Sequence, residues 1–139
     1  MRNHLPVPEV DPETYRLEII GCGKKDVSLS LKDLKTKFKK QTITAAVQCA
    51  GNRRGEMVKV KAVKGLNWGH AAIGNAEWSG VWLVDVLEYF GLPKTHQFEH
   101  VQFEGLDSDP AGFPYGASIP VEKALDPRGE DSYLDFYCY

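Results

Sequence analysis

Every strongly apolar or β-branched run in this chain is short and meets a glycine, a proline or a cluster of turn-formers, so the fold must be assembled from brief elements. YRLEII, residues 15–20, is rich in β-formers and stops at Gly21, which marks a first strand. In SLSLKDLKTKF, Ser30 with Asp33 three residues on resembles a capping box, and Leu31, Leu34 and Phe38 recur at helical spacing. A short helix ending in the basic run KFKK follows from that pattern. QTITAAVQ, residues 41–48, returns to β-branched residues and hands the chain to Cys49 at a strand's end. MVKVKAVKG alternates lysines with Val58, Val60 and, less strictly, Val63, the pattern of a strand with one wet face. WSGVWLVDVLEYFGLP predicts the best-defined helix, with Ser79 as N-cap, Trp82, Leu83, Val86, Leu87 and Phe90 on its apolar face, and Gly91 and Pro93 as stop signals. HVQFEG predicts another strand, and GLDSDPAGFPYGAS a long turn-rich loop before the short apolar SIPV. The prolines of NHLPVPEVDPE force extended or turning backbone along a surface. Short strands and helices without a regular βαβ rhythm place the chain in the α+β class.

Several function classes drop out at this stage. A formal charge of −2, with Lys, Arg, Asp and Glu scattered along the chain, provides no global basic field for nucleic acid, so any cationic site must be local. With 42% hydrophobic residues in 139, there is enough apolar material for one domain with a core. No apolar run approaches the roughly 20 residues that span a bilayer, and MRNHLPVPEV resembles neither a signal nor a transit peptide. The three cysteines, Cys22, Cys49 and Cys138, lie far apart with no CxxC pair, which indicates neither a disulfide framework nor a structural zinc site. Repeats, low-complexity segments and domain linkers are absent.

Attention falls on QCAGNRRGEM, where Cys49 follows a β-branched run and precedes Gly51, Asn52 and two consecutive arginines. Three readings of Cys49 stand side by side. It is a buried small residue closing a strand, the commonest fate of a free cysteine. It is a nucleophile served by His4, His70, His96 or His100. Or it is a single thiolate ligand to a metal held mainly by a cofactor, with Arg53 and Arg54 favouring negative charge at the sulfur and gathering an oxyanion. Arginine suits that task because its planar guanidinium presents a fork of donors and stays charged at any working pH.

VQCAGNRRGEM, together with RNHLPVP upstream and VKGLNWG and FEGLDSDPAGFPYGASIP downstream, resembles the molybdopterin-binding domain of eukaryotic sulfite oxidases, in order from Arg2 to about Gly129. The resemblance implies a mixed, β-rich α+β fold of the sulfite-oxidase type, with residues 1–130 its N-terminal part and 131–139 a divergent tail. It implies a molybdenum oxidoreductase in which Cys49 is the one protein ligand to the metal and the remaining sulfurs come from the pterin dithiolene of Mo-molybdopterin. Arg2, Arg54 and Trp68 match catalytic positions that bind the substrate oxyanion. Arg2, Asn3, His4 and Asp107 match positions that, with Cys49, hold the cofactor. The implied chemistry is oxygen-atom transfer converting sulfite to sulfate, with no nucleic acid and no membrane as partner.

Each matched residue also has an ordinary structural explanation. Arg2 is a frayed terminus, Trp68 a core residue whose indole N–H still wants a partner, Arg53 a structural or pterin-phosphate contact, and Asp107 and Asp109 turn residues bonding their own backbone. The resemblance ends after ALDPRGE, where the chain reads DSYLDFYCY while family members continue into further pterin contacts, a catalytic tyrosine, another substrate arginine and an immunoglobulin-like dimerisation domain. The expectation is a truncated, weakly active or inactive form, without a cytochrome b5-type haem domain and without the dimerisation domain of the family homodimer. Tyr133, Tyr137 and Tyr139 fall in the tail and take no catalytic role. The molybdenum domain of nitrate reductase shares the CAGNRR string and is the enzymatic alternative; a non-catalytic fragment binding pterin or anion is the other. By the same resemblance the location is the mitochondrial intermembrane space in animals and the peroxisome in plants, with no targeting segment in this chain.

Overall fold

A computed structural model describes residues 8–21, 25–92, 98–108, 111–126 and 133–135. In chain order the elements are β1 (Arg16–Ile19), β2 (Val27–Ser30), α1 (Leu31–Lys37), β3 (Gln41–Gln48), α2 (Arg54–Met57), β4 (Ile73–Trp82), α3 (Leu83–Phe90), β5 (His100–Ser108), β6 (Pro114–Pro120), α4 (Val121–Ala124) and β7 (Tyr133–Asp135). The chain divides into two compact units, one drawn from Met1–Gln41 with Gly80–Tyr139 and the other from Thr42–Ser79. Sheet predominates, with short helices between strands, as an α+β assignment requires.

The first unit owes its shape to apolar side chains. β1 and β2 pair antiparallel with Leu17 opposite Leu29 and Ile19 opposite Val27. Those residues pack with Leu34 of α1, Phe38, Val81 and Val86 into one buried cluster. The capping box starts α1 as the spacing predicts: Ser30 Oγ accepts from Asp33 N at 3.0 Å, and Asp33 Oδ2 accepts from Ser30 N at 3.0 Å. A second cluster gathers Leu83 and Leu87 of α3 and Ala124 of α4 with Val101, Phe103 and Ile119 of the β5–β6 hairpin. Val101 stands opposite Ile119 across that antiparallel pair, so alternation along both strands delivers the apolar face to the helices.

Three expectations need correction here. The helix near WSGVWLVDVLEYF begins at Leu83 with Trp82 as N-cap, and Ser79 lies inside β4, where its hydroxyl meets Thr42 Oγ1 at 2.8 Å. A tertiary pairing overrides the local capping signal, because Gly80–Trp82 pairs antiparallel with β7. The stop signal holds: Gly91 adopts φ 83°, its amide donates to Glu88 O and the Leu92 amide to Leu87 O. The loop expected over GLDSDPAGFPYGAS is mostly strand, since β5 runs through Ser108 and β6 starts at Pro114, with a register shift between Glu104 and Ser108 taking up the irregularity.

MVKVKAVKG is not a strand. Met57 closes α2, and the amides of Val58, Lys59, Val60 and Lys61 donate to Arg54 O, Glu56 O, Met57 O and Met57 O, so these donors are spent on local turns rather than on a ladder. The alternation had no buried face to fill, with Val60 92% and Val63 41% exposed. Among the described residues, no helix is long and apolar enough to cross a membrane.

Candidate functional site

The second unit carries Cys49, and the sequence brings it there by strand formation. β3 and β4 are neighbours in one sheet, tied also by Trp78 Nε1 donating to Ala45 O at 2.9 Å. β3 covers Gln41–Gln48, as its β-branched residues predict, and the next amide, Cys49 N, donates to Ala72 O at 2.9 Å. Cys49 is half-buried and unpaired. Its Sγ accepts from Gly51 N at 3.3 Å, a donor of the kind that tunes a metal-bound sulfur.

Beyond Cys49 the chain is laced to the segment that carries NWG. Arg53 N donates to Gly69 O at 2.9 Å and Gly55 N to Trp68 O at 3.0 Å. Arg54 Nη1 donates to Leu66 O at 2.9 Å, and Asn52 Oδ1 accepts from Ala72 N at 3.1 Å. These bonds make residues 49–55 and 66–72 one unit, which explains why the two strings belong together although Gly55 and Leu66 are 11 positions apart along the chain. The sequence assigns Asn52 no role of its own; an asparagine directly before two arginines is a common turn residue, and nothing local shows that it reaches across 20 positions. Backbone strain collects in the same place, with Arg53 at φ 62° and Ala71 at φ 86°.

The adjacent arginines part company. Arg53 turns outward and grips Glu56, Nε to Oε1 at 3.0 Å and Nη2 to Oε2 at 2.5 Å, with both side chains more than half exposed. That pairing raises the Arg53 pKa and lowers that of Glu56, the side-chain hydrogen bond being the main cause of each. Arg53, the N-cap of α2, is thus engaged with a residue of its own helix. Arg54 turns inward beside Gly51 and Gly65; its Nε is buried without a hydrogen-bond partner, and no carboxylate pairs with it among the described residues. A guanidinium left with one carbonyl as acceptor has donors to spare for an anion.

Of the residues expected at the site, Cys49, Arg54 and Trp68 are brought into one laced pair of loops. Trp68 is half-buried and joins through its carbonyl, which accepts from Gly55. Asp107 belongs to the other unit, on β5 rather than in a turn, with Oδ1 lodged against Gly105 so closely that a β-carbon there would overlap it. Arg2, Asn3 and His4 lie outside the described residues. The close approach of Arg54 demands a glycine at position 51: a β-carbon there would stand 2.7 Å from Arg54 Nη2. Among the described residues no three His, Cys, Asp or Glu side chains come together, so a metal at Cys49 would take most of its ligands from outside this set.

Against known proteins, the profile of the oxidoreductase molybdopterin binding domain matches residues 4–134. The mitochondrial sulfite oxidase of Drosophila melanogaster is 57% identical over 130 residues, which are 94% of this chain and 22% of that protein. The nitrate reductase [NAD(P)H] of Hordeum vulgare is 37% identical over 129 residues, 91% of this chain and 14% of that one. Among solved structures, the sulfane dehydrogenase SoxCD from Paracoccus pantotrophus superposes with a TM-score of 0.68 at 29% identity, covering 90% of this chain and 30% of its own. This chain thus spans about a quarter or less of the length of these curated relatives.

Proposed function

The chain belongs to the oxidoreductase molybdopterin binding domain family, and from that premise we propose that its Cys49 loop holds molybdenum in a molybdopterin cofactor and serves the oxidation of sulfite to sulfate. The observation that carries the reading is local: a half-buried, unpaired cysteine accepting an amide N–H shares one laced loop with an arginine that has no carboxylate partner among the described residues.

These residues fit the cofactor. A thiolate is a soft donor suited to a thiophilic metal, and among the described residues no three His, Cys, Asp or Glu side chains gather to hold one, which suits a metal whose other ligands are brought by the pterin. When bound, the cofactor supplies oxygen-atom transfer and accepts two electrons. Cys49 fixes the metal to the end of β3, where its backbone amide and the Gly51 amide both hold the residue in place. Arg54 supplies fixed positive charge for the sulfite and sulfate oxyanions, and Trp68 shapes the same loop. Arg2, Asn3, His4 and Asp107 are proposed cofactor contacts on the strength of the family resemblance.

Sulfite is preferred over nitrate because the sulfite oxidase relative is 57% identical and the nitrate reductase relative 37%, over nearly the same span. A mitochondrial location, in the intermembrane space, is proposed from the naming of that relative and the family resemblance. The test is to express the chain joined to the remaining length of a sulfite oxidase in a host that makes molybdopterin, measure molybdenum per protein, and follow sulfite-dependent ferricyanide reduction with Cys49 and with Cys49→Ser. Wild-type metal and turnover that both vanish in the variant support the proposal. Equal metal content and turnover in the two proteins overturn the assignment of Cys49, and nitrate-dependent oxidation of reduced viologen without sulfite turnover moves the reading to nitrate.

A further inference from the structure

We infer that Gly51 and Gly65 are positioning residues for Arg54, forming a two-glycine slot that holds its guanidinium in the orientation offered to an oxyanion. The inference rests on the proposed role of Arg54 and deepens it. A β-carbon at Gly51 would stand 2.7 Å from Arg54 Nη2, 3.0 Å from Cζ and 3.2 Å from Nη1. At Gly65 it would overlap Nη1 outright and stand 2.8 Å from Cζ and 3.4 Å from Nε. Both positions therefore press on the same guanidinium, and real β-carbons essentially never come within 3.0 Å of another heavy atom. Leu66 O, adjacent to Gly65, receives Nη1 at 2.9 Å, while Gly51 O receives the Arg54 amide at 2.9 Å. The slot thus grips Arg54 at its guanidinium and at its backbone.

Why a slot matters follows from side-chain entropy. A free arginine gives up much of its rotamer freedom when it closes on an anion. Held beside two glycines, Arg54 has already lost it, with Nε shut away from water and Nη1 committed to a carbonyl. Gly51 also donates its amide to Cys49 Sγ, so the residue that leaves room for the cation is the one that braces the thiol. What a substituent at either glycine would strike is the far end of a flexible side chain, so the guanidinium moves out and the fold survives. Such variants weaken anion binding without removing any charge.

Gly21 supplies the control. It has φ +113°, nearly that of Gly65 at +114°, yet a β-carbon on it would meet nothing within 4 Å. Gly21→Ala thus places an alanine at nearly the same positive φ as Gly65→Ala without touching Arg54. The experiment titrates inorganic sulfate into the full chain at constant ionic strength by calorimetry, for wild type, Arg54→Ala, Gly51→Ala, Gly65→Ala and Gly21→Ala. Sulfate affinity should fall at least about tenfold in the first three variants and stay at the wild-type level in Gly21→Ala. Wild-type affinity in both Gly51→Ala and Gly65→Ala would overturn the inference. A double-mutant cycle on the urea midpoint reads the slot without any ligand: Gly65→Ala should cost more in wild type than in Arg54→Ala, where only strain remains. Equal costs in the two backgrounds sink the slot. If the cycle shows coupling but wild type takes up no sulfate, the slot stands and the oxyanion role of Arg54 is what fails.

Discussion

The two units of this chain are built on different physics. In the first, Leu29, Leu34, Val81 and Val86 form one buried apolar cluster and Leu83, Leu87 and Ala124 another. In the second, none of the described residues between Thr42 and Ser79 belongs to the buried apolar set, while Val47, Met57, Val60, Val63, Leu66 and Ile73 are exposed. Its coherence comes from hydrogen bonds lacing 49–55 to 66–72, from a buried glycine, and from an arginine fitted between glycines. Apolar burial supplies stability without directing chemistry; a laced polar loop directs donors and a thiol to one place and contributes little burial. The unit that carries the proposed chemistry is therefore expected to open first, and hydrogen exchange would show it as faster amide exchange in 49–55 than in α3.

The largest effect that sharpens this contrast is Leu29→Ala. Leu29 is 1% exposed at the centre of the first cluster, so its truncation should cost about 2–5 kcal/mol in urea unfolding. A loss under about 1 kcal/mol would mean that the cluster collapses around the cavity and that the contrast is weaker than drawn. Next comes Arg54→Gln, whose effect should fall on function. In the chain restored to the full length of its relatives, loss of one charge-assisted contact of about 1.5–3 kcal/mol, with some misplacement, should lower kcat/KM for sulfite roughly 10- to 1000-fold through a raised KM, while the urea midpoint of the chain itself moves less than in Leu29→Ala. The reverse pattern, an unchanged KM and a large stability loss, would make Arg54 a structural residue.

What could be read from the sequence divides along the same line. The capping box of Ser30 and Asp33, the strand from Gln41 to Gln48 and the Gly91 stop were legible because each is decided within a few residues. Ser79 misled as an N-cap because β4 continues to Trp82 through its pairing with β7, a partner some 50 residues on, as in Gly80 opposite Asp135. The valines of MVKVKAVKG misled because alternation predicts a strand only where one face is buried, and Val60 is almost fully exposed. At the site, Cys49 and Arg54 are singled out by the family resemblance, and their roles are proposals; what the structure adds is that one laced pair of loops holds both. The different fates of Arg53 and Arg54 were not legible, since they depend on Glu56 one turn on and on Gly65, eleven positions past Arg54.

A smaller effect should follow from Asn52→Ala. The side-chain carbonyl of Asn52 accepts from Ala72 N at 3.1 Å, and without it that amide loses its partner next to the strained Ala71. A cost of about 1 kcal/mol is expected, with faster exchange at the Ala72 amide and no comparable change at α3. Protection at Ala72 that matched wild type would show that the backbone bonds of Arg53 and Gly55 suffice to hold the loops together.

The smallest effect tests whether charge, as distinct from burial, matters to the first unit. Asp33 is held well below the usual carboxylate range, chiefly by its hydrogen bond with Ser30 and then by Lys37, whose Nζ lies 2.9 Å from Oδ1. Lys37 is raised in turn, first by Asp33 and then by Tyr89. For Asp33, a lowered folded pKa means that the unfolded chain binds the proton more readily, so its contribution is present above the unfolded value of about 3.9 and is lost as pH falls through and below it. For Lys37, a raised folded pKa gives a contribution present below about 10.4 and lost as pH rises through and beyond it. Both groups face solvent, so the gain is small and screened by salt. Asp33→Asn should therefore lower the Tm slightly at pH 7 in low salt. The difference from wild type should shrink as pH falls below about 4, and also as salt is raised. A difference that held constant down to pH 2 would assign the effect to the geometry of the Ser30 cap, leaving the first unit dependent on its apolar clusters alone.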